Sequence, residues 1–456
     1  MKILHVPFCF APDPVGGTEI YVAALASDLM RRGVETVIAA PGAETRAYEI
    51  EGLQVRRFET SQIVENVSEL YGDGDPLAAE EFANLLENEK PDIVHLHAFT
   101  RAVSSRVVLA CKHRRVPIVF TYHTPTVSCQ RGTMMLWGQS QCDGRLDLRR
   151  CTACTLQGLG LPRTIAKVAS LVSSNLRDRI DLRGLEGRLW TALRMSELIS
   201  LRHSAFFKLV QEVDHFVAVC SWVRDVILAN GVEPNKVSLC RHGVSVPDTH
   251  TESRAAYQPN GRSGQGPRFV FVGRFDPTKG LDIVIDAFRQ LPSLHMSLDV
   301  FGIAQSASSR SYERRVKALA ESDTRIIFHP ALPKEEVIGR LSNYDFLLVP
   351  SLWMETGPLV VLEAFAAGTP VIGNRIGGIA ELVRDQVDGL LVDSVSDLAW
   401  RNTLRMVAED AHLCSRLKAG IRNPRTTSNV ADEMLALYES LLAARPHQSP
   451  NISAVA

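Results

Sequence analysis

Short apolar runs alternate with helical patterns along most of the chain. In the first 250 or so residues, strand candidates are KILHVPF (2–8), TVIAA (36–40), IVHLHA (93–98), IVFTYH (118–123), HFVAVC (215–220) and KVSLCRHG (236–243). Stretches with helical spacing lie between them, such as Glu19–Arg32 and Ala78–Asn88. Each strand candidate is nearly unbroken in its apolar character, which predicts a parallel sheet covered by helices on both faces. Residues 248–267 interrupt the pattern with a polar stretch rich in Gly, Ser and Pro, expected to be an interdomain linker. The alternation then resumes with RFVFVG (268–273), SLDVFG (297–302), RIIFHP (325–330), DFLLVP (345–350), PVIGN (370–374) and GLLV (389–392). Helices are predicted at Gly280–Gln290, Ser311–Ser322, Lys334–Leu341 and Pro358–Ala367. The fold class is therefore α/β, with two doubly wound units facing a central cleft and ligands bound outside the carboxyl ends of the strands.

Within the first unit (1–247), residues 125–212 do not follow the alternation and are expected to form an insertion. The second unit spans 268–428, and 429–456 should be a last helix, packed on either domain, with a frayed tail from Arg445. A length of 456 residues agrees with two or three domains. A net charge of -1 lacks the basic footprint of a nucleic-acid-binding protein, so no nucleic-acid partner is expected. The N-terminus lacks the longer apolar region of a signal peptide, and no run reaches the 18 or so apolar residues of a membrane span. A cytoplasmic location follows as the expectation, where structural disulfides are rare.

The strongest chemical signal is ETGPLVVLEAFAAGTPVI, residues 355–372. Glu355 precedes a helix that Gly357 and Pro358 should open. Free amides at such a start can hold an anion such as a diphosphate. Glu355 would then reach a sugar on that diphosphate, and Glu363 a ribose diol. Two glutamates alone would be ordinary first-turn and surface charges. The context adds Arg274 at a strand end and Lys279 five residues later in FVGRFDPTKG, two cations able to stabilise a departing diphosphate. Gly377–Gly378 before another helix indicates a close backbone approach.

These motifs, in this order and separation, resemble the donor domain of glycosyltransferase family 4, with the two-domain GT-B fold. The resemblance covers nearly the full chain. It implies a retaining, nucleotide-sugar-dependent hexosyltransferase, with 1–247 on the acceptor side and 268–428 holding the donor. Arg274 and Lys279 match the pair that binds the diphosphate, Glu355 the carboxylate at the transferred sugar, and Glu363 the ribose ligand. Thr356 and the amides of Gly357, Leu359 and Val360 fall where the family meets sugar and phosphate. The chain departs from many members in having Thr356-Gly357-Pro358 after the first Glu, and the proline removes one amide. In the first domain, Gly16–Gly17 matches a glycine pair near the donor phosphate or the acceptor, and Glu19 is a pocket candidate. His123 resembles the family histidine that faces the transferred sugar, and His97 lines the acceptor side. Ser221 and His242–Gly243 should shape the cleft. The implied partners are an NDP-sugar of UDP or GDP type and a glycan, lipid-linked or small-molecule acceptor, in cell-surface polysaccharide or glycoconjugate synthesis. No metal cofactor is expected for transfer. A GT-B epimerase and a noncatalytic nucleotide-sugar-binding scaffold share the architecture and are the alternatives.

Two features stand outside these motifs. Cys129, Cys142, Cys151 and Cys154, spaced C-x(12)-C-x(8)-C-x(2)-C, are candidates for a structural zinc site, with iron–sulfur, disulfides or free thiols as other readings. Some family relatives carry a similar cysteine-rich insertion. From Leu161 to Val210 there are nine Lys or Arg against four Asp or Glu, with helical apolar spacing. That pattern is either a packed helical hairpin with a solvated basic face or a peripheral contact with the inner face of the cell membrane.

Overall fold

A computed structural model describes residues 1–13, 16–64, 66–176, 192–245, 266–393 and 396–444. The expected linker, save its last residues, and the expected C-terminal tail lie outside the described residues, as does 177–191 of the basic stretch.

The first domain contains β1 (Lys2–Val6), β2 (Glu35–Gly42), β3 (Arg46–Ile50), β4 (Leu53–Glu59), β5 (Ile93–Leu96) and β6 (Ile118–Tyr122). After a small hairpin of β7 (Met135–Leu136) and β8 (Ser140–Gln141) come β9 (His215–Ala218) and β10 (Val237–Leu239). The main sheet has eight strands in the order β10-β9-β6-β5-β1-β2-β4-β3. It is parallel except where β3 runs antiparallel to β4. The second domain has six parallel strands in the order β13-β12-β11-β14-β15-β16: β11 (Arg268–Arg274), β12 (Ser297–Ile303), β13 (Ile326–His329), β14 (Phe346–Val349), β15 (Val371–Asn374) and β16 (Gly389–Val392). Central strands such as β6 and β14 are buried along their whole length, as near-continuous apolar runs require when helices cover both faces.

The sequence pattern missed the β3–β4 hairpin. Its strands, RAYEI and LQVRRFE, are broken by charged residues; β3 is the exposed edge strand, and Arg57 of β4 is buried. Their turn is Glu51–Gly52, both at positive φ (53° and 77°), a two-residue hairpin turn that favours Gly.

Two boundaries shift. The helix Met195–Glu212, placed by sequence in the insertion, buries Ala205, Phe206 and Leu209 in the main core of the first domain and leads into β9. The insertion proper comprises the β7–β8 hairpin and the helices Leu148–Gly158 and Arg163–Leu176, which share a small core with Met195, Leu198 and Ile199. The last helix, Thr427–Ala443, packs on the first domain. Its Val430, Ala431, Met434 and Tyr438 join Tyr21, Val22 and Leu25 of the helix Gly17–Arg31 in one cluster. The chain thus returns from the second domain to the first. The return lies beside the outward crossing, where the Val244 amide donates to the Arg425 carbonyl at 2.9 Å and the Thr427 amide to the Val244 carbonyl at 3.1 Å.

Candidate active site

The functional side chains sit at the carboxyl ends of strands in both domains, where the two face each other. On the donor side, β14 ends at Val349 and a loop carries Ser351, Trp353 and Glu355. Glu355 is buried, and three donors converge on its Oε1: Lys279 Nζ at 2.6 Å, Ser351 Oγ at 2.7 Å and Trp353 Nε1 at 2.9 Å. Among the described residues no donor reaches Oε2. Lys279 also lies over the Trp353 ring, 5.5 Å from its centroid. It reaches this position because Gly280 turns the chain with φ 68°; a Cβ there would lie 2.2 Å from the Pro350 carbonyl oxygen. Arg274 closes β11 on the same side of the sheet. It is exposed and makes no ion pair among the described residues.

Behind this loop, the helix Gly377–Leu382 approaches as the Gly-Gly pair predicts. The Gly378 amide donates to the Glu355 carbonyl at 2.6 Å. A Cβ on Gly378 would stand 2.7 Å from the Gly357 nitrogen, and one on Gly377 2.8 Å from the Glu355 carbonyl oxygen. The next helix spans Leu359–Ala366, so Pro358 is its N-cap residue and not its first helical residue; φ -64° and ψ 122° hold it extended. The amides of Leu359 and Val360 are free of intrahelical partners there, as at any helix start. The side chain of Glu363, in the second turn, has no hydrogen-bond partner among the described residues, while its carbonyl accepts from the Ala367 amide at 2.9 Å. Burial raises its carboxyl to about 7, against the opposing pull of Lys334.

On the other side, Gly16 is the N-cap of Gly17–Arg31, and a Cβ on Gly17 would come within 3.9 Å of Leu359 Cδ1. The two helix starts therefore face each other. Glu19 is buried and its Oε2 accepts from the Gly16 amide at 2.8 Å, so it caps its own helix and is not directed at an acceptor.

The histidines form a chain that the sequence did not reveal. His5 Nδ1 meets His97 Nε2 at 3.1 Å, His97 Nδ1 meets His123 Nε2 at 3.1 Å, and His123 Nδ1 meets His242 Nε2 at 3.4 Å. His242 Nδ1 lies 2.9 Å from the Gly357 carbonyl, which only accepts. That anchor fixes the order: each imidazole donates from Nδ1, and His97, His123 and His242 receive at Nε2, while the buried Nε2 of His5 has no partner among the described residues. Burial lowers the pKa of all four, His5 to about 3, so the chain is neutral near pH 7. Neighbouring imidazoles lower those of His97 and His123 further. Both ring nitrogens of His123 are thus engaged, and the 3.4 Å link to His242 is the longest in the chain.

Further bonds join the domains. Thr356 Oγ1 donates to the His123 carbonyl at 2.6 Å, and Trp222 Nε1 to the Glu355 carbonyl at 2.9 Å. Glu381 of the donor domain accepts from the Ser221 and Trp222 amides at 2.8 and 3.0 Å, capping the helix Ser221–Ala229, and from Arg241 at 2.9 Å. Burial alone would raise the Glu381 carboxyl; the two amides, with Ser221 and Arg241, outweigh it and lower it.

The four clustered cysteines line one cavity of about 40 Å³, together with Met134, Met135 and Arg131. None forms a disulfide. Burial raises the thiol of Cys142 and brings that of Cys151 to about 11.

Similarity to known proteins agrees with this geometry. Residues 15–152 match the family described as Glycosyltransferase Family 4, and residues 253–423 match Glycosyl transferases group 1. A D-inositol 3-phosphate glycosyltransferase of Acidothermus cellulolyticus is 25% identical over 460 residues, covering 97% of this chain and 89% of that protein. One of Xylanimonas cellulosilytica is 30% identical over 236 residues, covering 49% of this chain and about half, 55%, of its own length. Among solved structures, sucrose-phosphate synthase from Thermosynechococcus elongatus aligns with a TM-score of 0.62 at 18% identity, covering 98% of this chain and all of that one. Anabaena Alr3699/HepE in complex with UDP and glucose aligns with a TM-score of 0.60 at 16% identity, covering 96% of this chain and all of that one. With its two parallel-sheet domains, this chain has the GT-B fold; its first part matches the Glycosyltransferase Family 4 model and its second part the Glycosyl transferases group 1 model.

Proposed function

We propose that the chain is a retaining hexosyltransferase that moves a sugar from a UDP- or GDP-type donor to a small-molecule acceptor, in the cytoplasm. The observation that carries this reading is the Lys279–Glu355 pair beside the start of the helix Leu359–Ala366, opposite the glycine-rich start of Gly17–Arg31. The relation to D-inositol 3-phosphate glycosyltransferases over nearly the whole chain favours a small polar acceptor over a glycan or a lipid-linked one.

In this mechanism Lys279 and Arg274 offset the charge that grows on the departing diphosphate, and the Leu359 and Val360 amides bind its oxygens. Glu363 accepts from the ribose hydroxyls, and the free Oε2 of Glu355 accepts from a hydroxyl of the transferred sugar. His123 takes the sugar's other edge. Attack from the face the nucleotide leaves lets the departing phosphate take the acceptor proton, which retains the anomeric configuration.

The test is a panel of UDP-, GDP- and ADP-hexoses, each with inositol phosphates, simple sugars or lipid-linked glycans, and with no acceptor. Transfer with the donor's anomeric configuration kept in the product, read by NMR, is the expected result. An inverted product, or conversion of the donor without acceptor as in an epimerase, overturns the reading. Among the described residues no helix is long and apolar enough to cross a membrane. The helix Arg163–Leu176 exposes Ile165, Val168 and Leu171 along one face beside Arg163 and Lys167, which supports a peripheral contact with anionic lipid. Co-sedimentation with phosphatidylglycerol vesicles, lost in Val168→Glu, tests it.

A further inference from the structure

The cysteine module has too little packing of its own to explain its shape. Residues 129–147 contain only two two-residue strands, and their core is Met134, Met135, Cys129 and Cys142 against Val226, Trp222 and Met354. The backbone turns at positive φ at Gly132, Met134, Trp137, Gly138 and Gly144. A segment with so small a core of its own gains order from a cross-link or a metal. No disulfide supplies one, yet all four thiols line the same enclosed space. Two donors already point at one sulfur: the Trp137 amide lies 3.3 Å and Arg131 Nη1 3.5 Å from Cys154 Sγ.

We propose that Cys129, Cys142, Cys151 and Cys154 bind one structural zinc ion, and that this ion braces the loop that carries Glu355. The four residue types make a closed tetrahedral thiolate set, the chemistry of a structural site with no open position. No three of the sulfurs lie within 4.8 Å of one another, so closing the site at Zn–S distances of about 2.3 Å draws them inward by side-chain rotation within the cavity. Binding displaces the thiol protons to solvent and involves no redox change. The link to the active site is direct. The Met354 amide donates to the Thr133 carbonyl at 3.0 Å, Met354 is buried in the module's core, and Glu355 follows it. Gln141 Nε2 adds a 3.3 Å bond to the Arg375 carbonyl, on the same domain. A module fixed by metal thus holds one wall of the donor site.

The experiment is elemental analysis of the full chain purified under reducing conditions without added metal, paired with cobalt exchange. The expected result is about one zinc per chain and, after exchange, the visible absorption of tetrahedral cobalt bound by thiolates. Cys151→Ala with Cys154→Ala should lose the metal, while Cys414→Ala keeps it. Arg131→Met, which leaves every ligand in place, should weaken zinc by about 10- to 100-fold in competition with a chelator dye. Stoichiometric iron with labile sulfide, disulfides among the four cysteines, or a folded chain that neither carries nor takes up zinc or cobalt would each overturn the proposal. Zinc bound without any change in donor affinity on chelation would overturn the bracing role alone. Because metal content is read without turnover, its outcome is separate from that of the transferase reading.

Discussion

Replacing Lys279 with Met keeps the aliphatic stem and removes the charge. In the parent, Nζ sits 2.6 Å from Glu355 Oε1, with side-chain exposures of 20% and 7%. Losing one partner of a buried pair costs about 3–5 kcal/mol when the other charge is left uncompensated. Here Ser351 and Trp353 still donate to the same oxygen. Hydrogen bonds to a charged group contribute about 1.5–3 kcal/mol each, so the expected loss of stability is only ~1–2 kcal/mol. The catalytic loss should be larger. Removing one preorganised stabiliser of developing charge costs about 10²–10³ in kcat, or about 2.7–4 kcal/mol. Initial rates at saturating donor and a thermal melt of the same sample measure both quantities. Lys279→Arg should recover part of the rate. A melt lowered as expected with kcat within about tenfold of the parent would show that Lys279 only holds Glu355 in place, and the charge-compensation argument would fail.

Three further outcomes follow from the geometry. Glu363 has a carboxyl near 7 because burial disfavours its charge, so donor kcat/KM should fall by about tenfold between pH 8 and pH 6 as the diol loses its ionised acceptor. Its raised value also means the ligand-free protein gains stability below pH 4.5 that is lost as pH rises through about 7; Glu363→Gln should abolish both dependences, and a retained pH profile for kcat/KM refutes the assignment. Glu381→Ala should cost about 1–2 kcal/mol as a lost cap and enlarge the radius of gyration by small-angle scattering. Glu381 is depressed, so its contribution is present above pH 4.5 and lost as pH falls through its folded value; an unchanged radius in the variant at pH 7 argues against an interdomain strap. Gly378→Ala should push a methyl into the Gly357 nitrogen at 2.7 Å and cost about 10² in rate while the circular dichroism stays native; full activity would mean the loop yields freely.

Apart from β3 and β4, the strands of both main sheets were legible because a buried parallel strand is a continuous apolar run, and most boundaries differ by a residue or two. The Lys279–Glu355 meeting was legible too, since both residues lie in strand-end motifs of one domain. Much of what escaped at the site involves partners far apart in the chain. His5, His97, His123 and His242 come from four strand ends, and no local pattern distinguishes such a row from four separate structural histidines. Glu381 and Trp222 join different domains, and nothing near either residue signals the other. Glu19 was misread because a capping carboxylate three residues after the N-cap looks like any pocket acid in sequence. Gly280 was visible as a Lys-Gly step before a helix, but the need for it appears only when the Pro350 carbonyl stands against it.

The side-by-side crossing at Val244 and Thr426 limits how the enzyme can open. A domain tied by one strand can tumble; one tied by two adjacent strands swings about the line through them. The His242–Gly357 and Thr356–His123 contacts join the two domains, so a swing that parts the domains breaks them. Gly243, whose Cβ would stand 2.2 Å from the Thr426 carbonyl oxygen, lets the two strands touch and so places the axle. A bulkier residue there would shift the pivot and misalign the two halves of the site without altering a single group that meets the substrate.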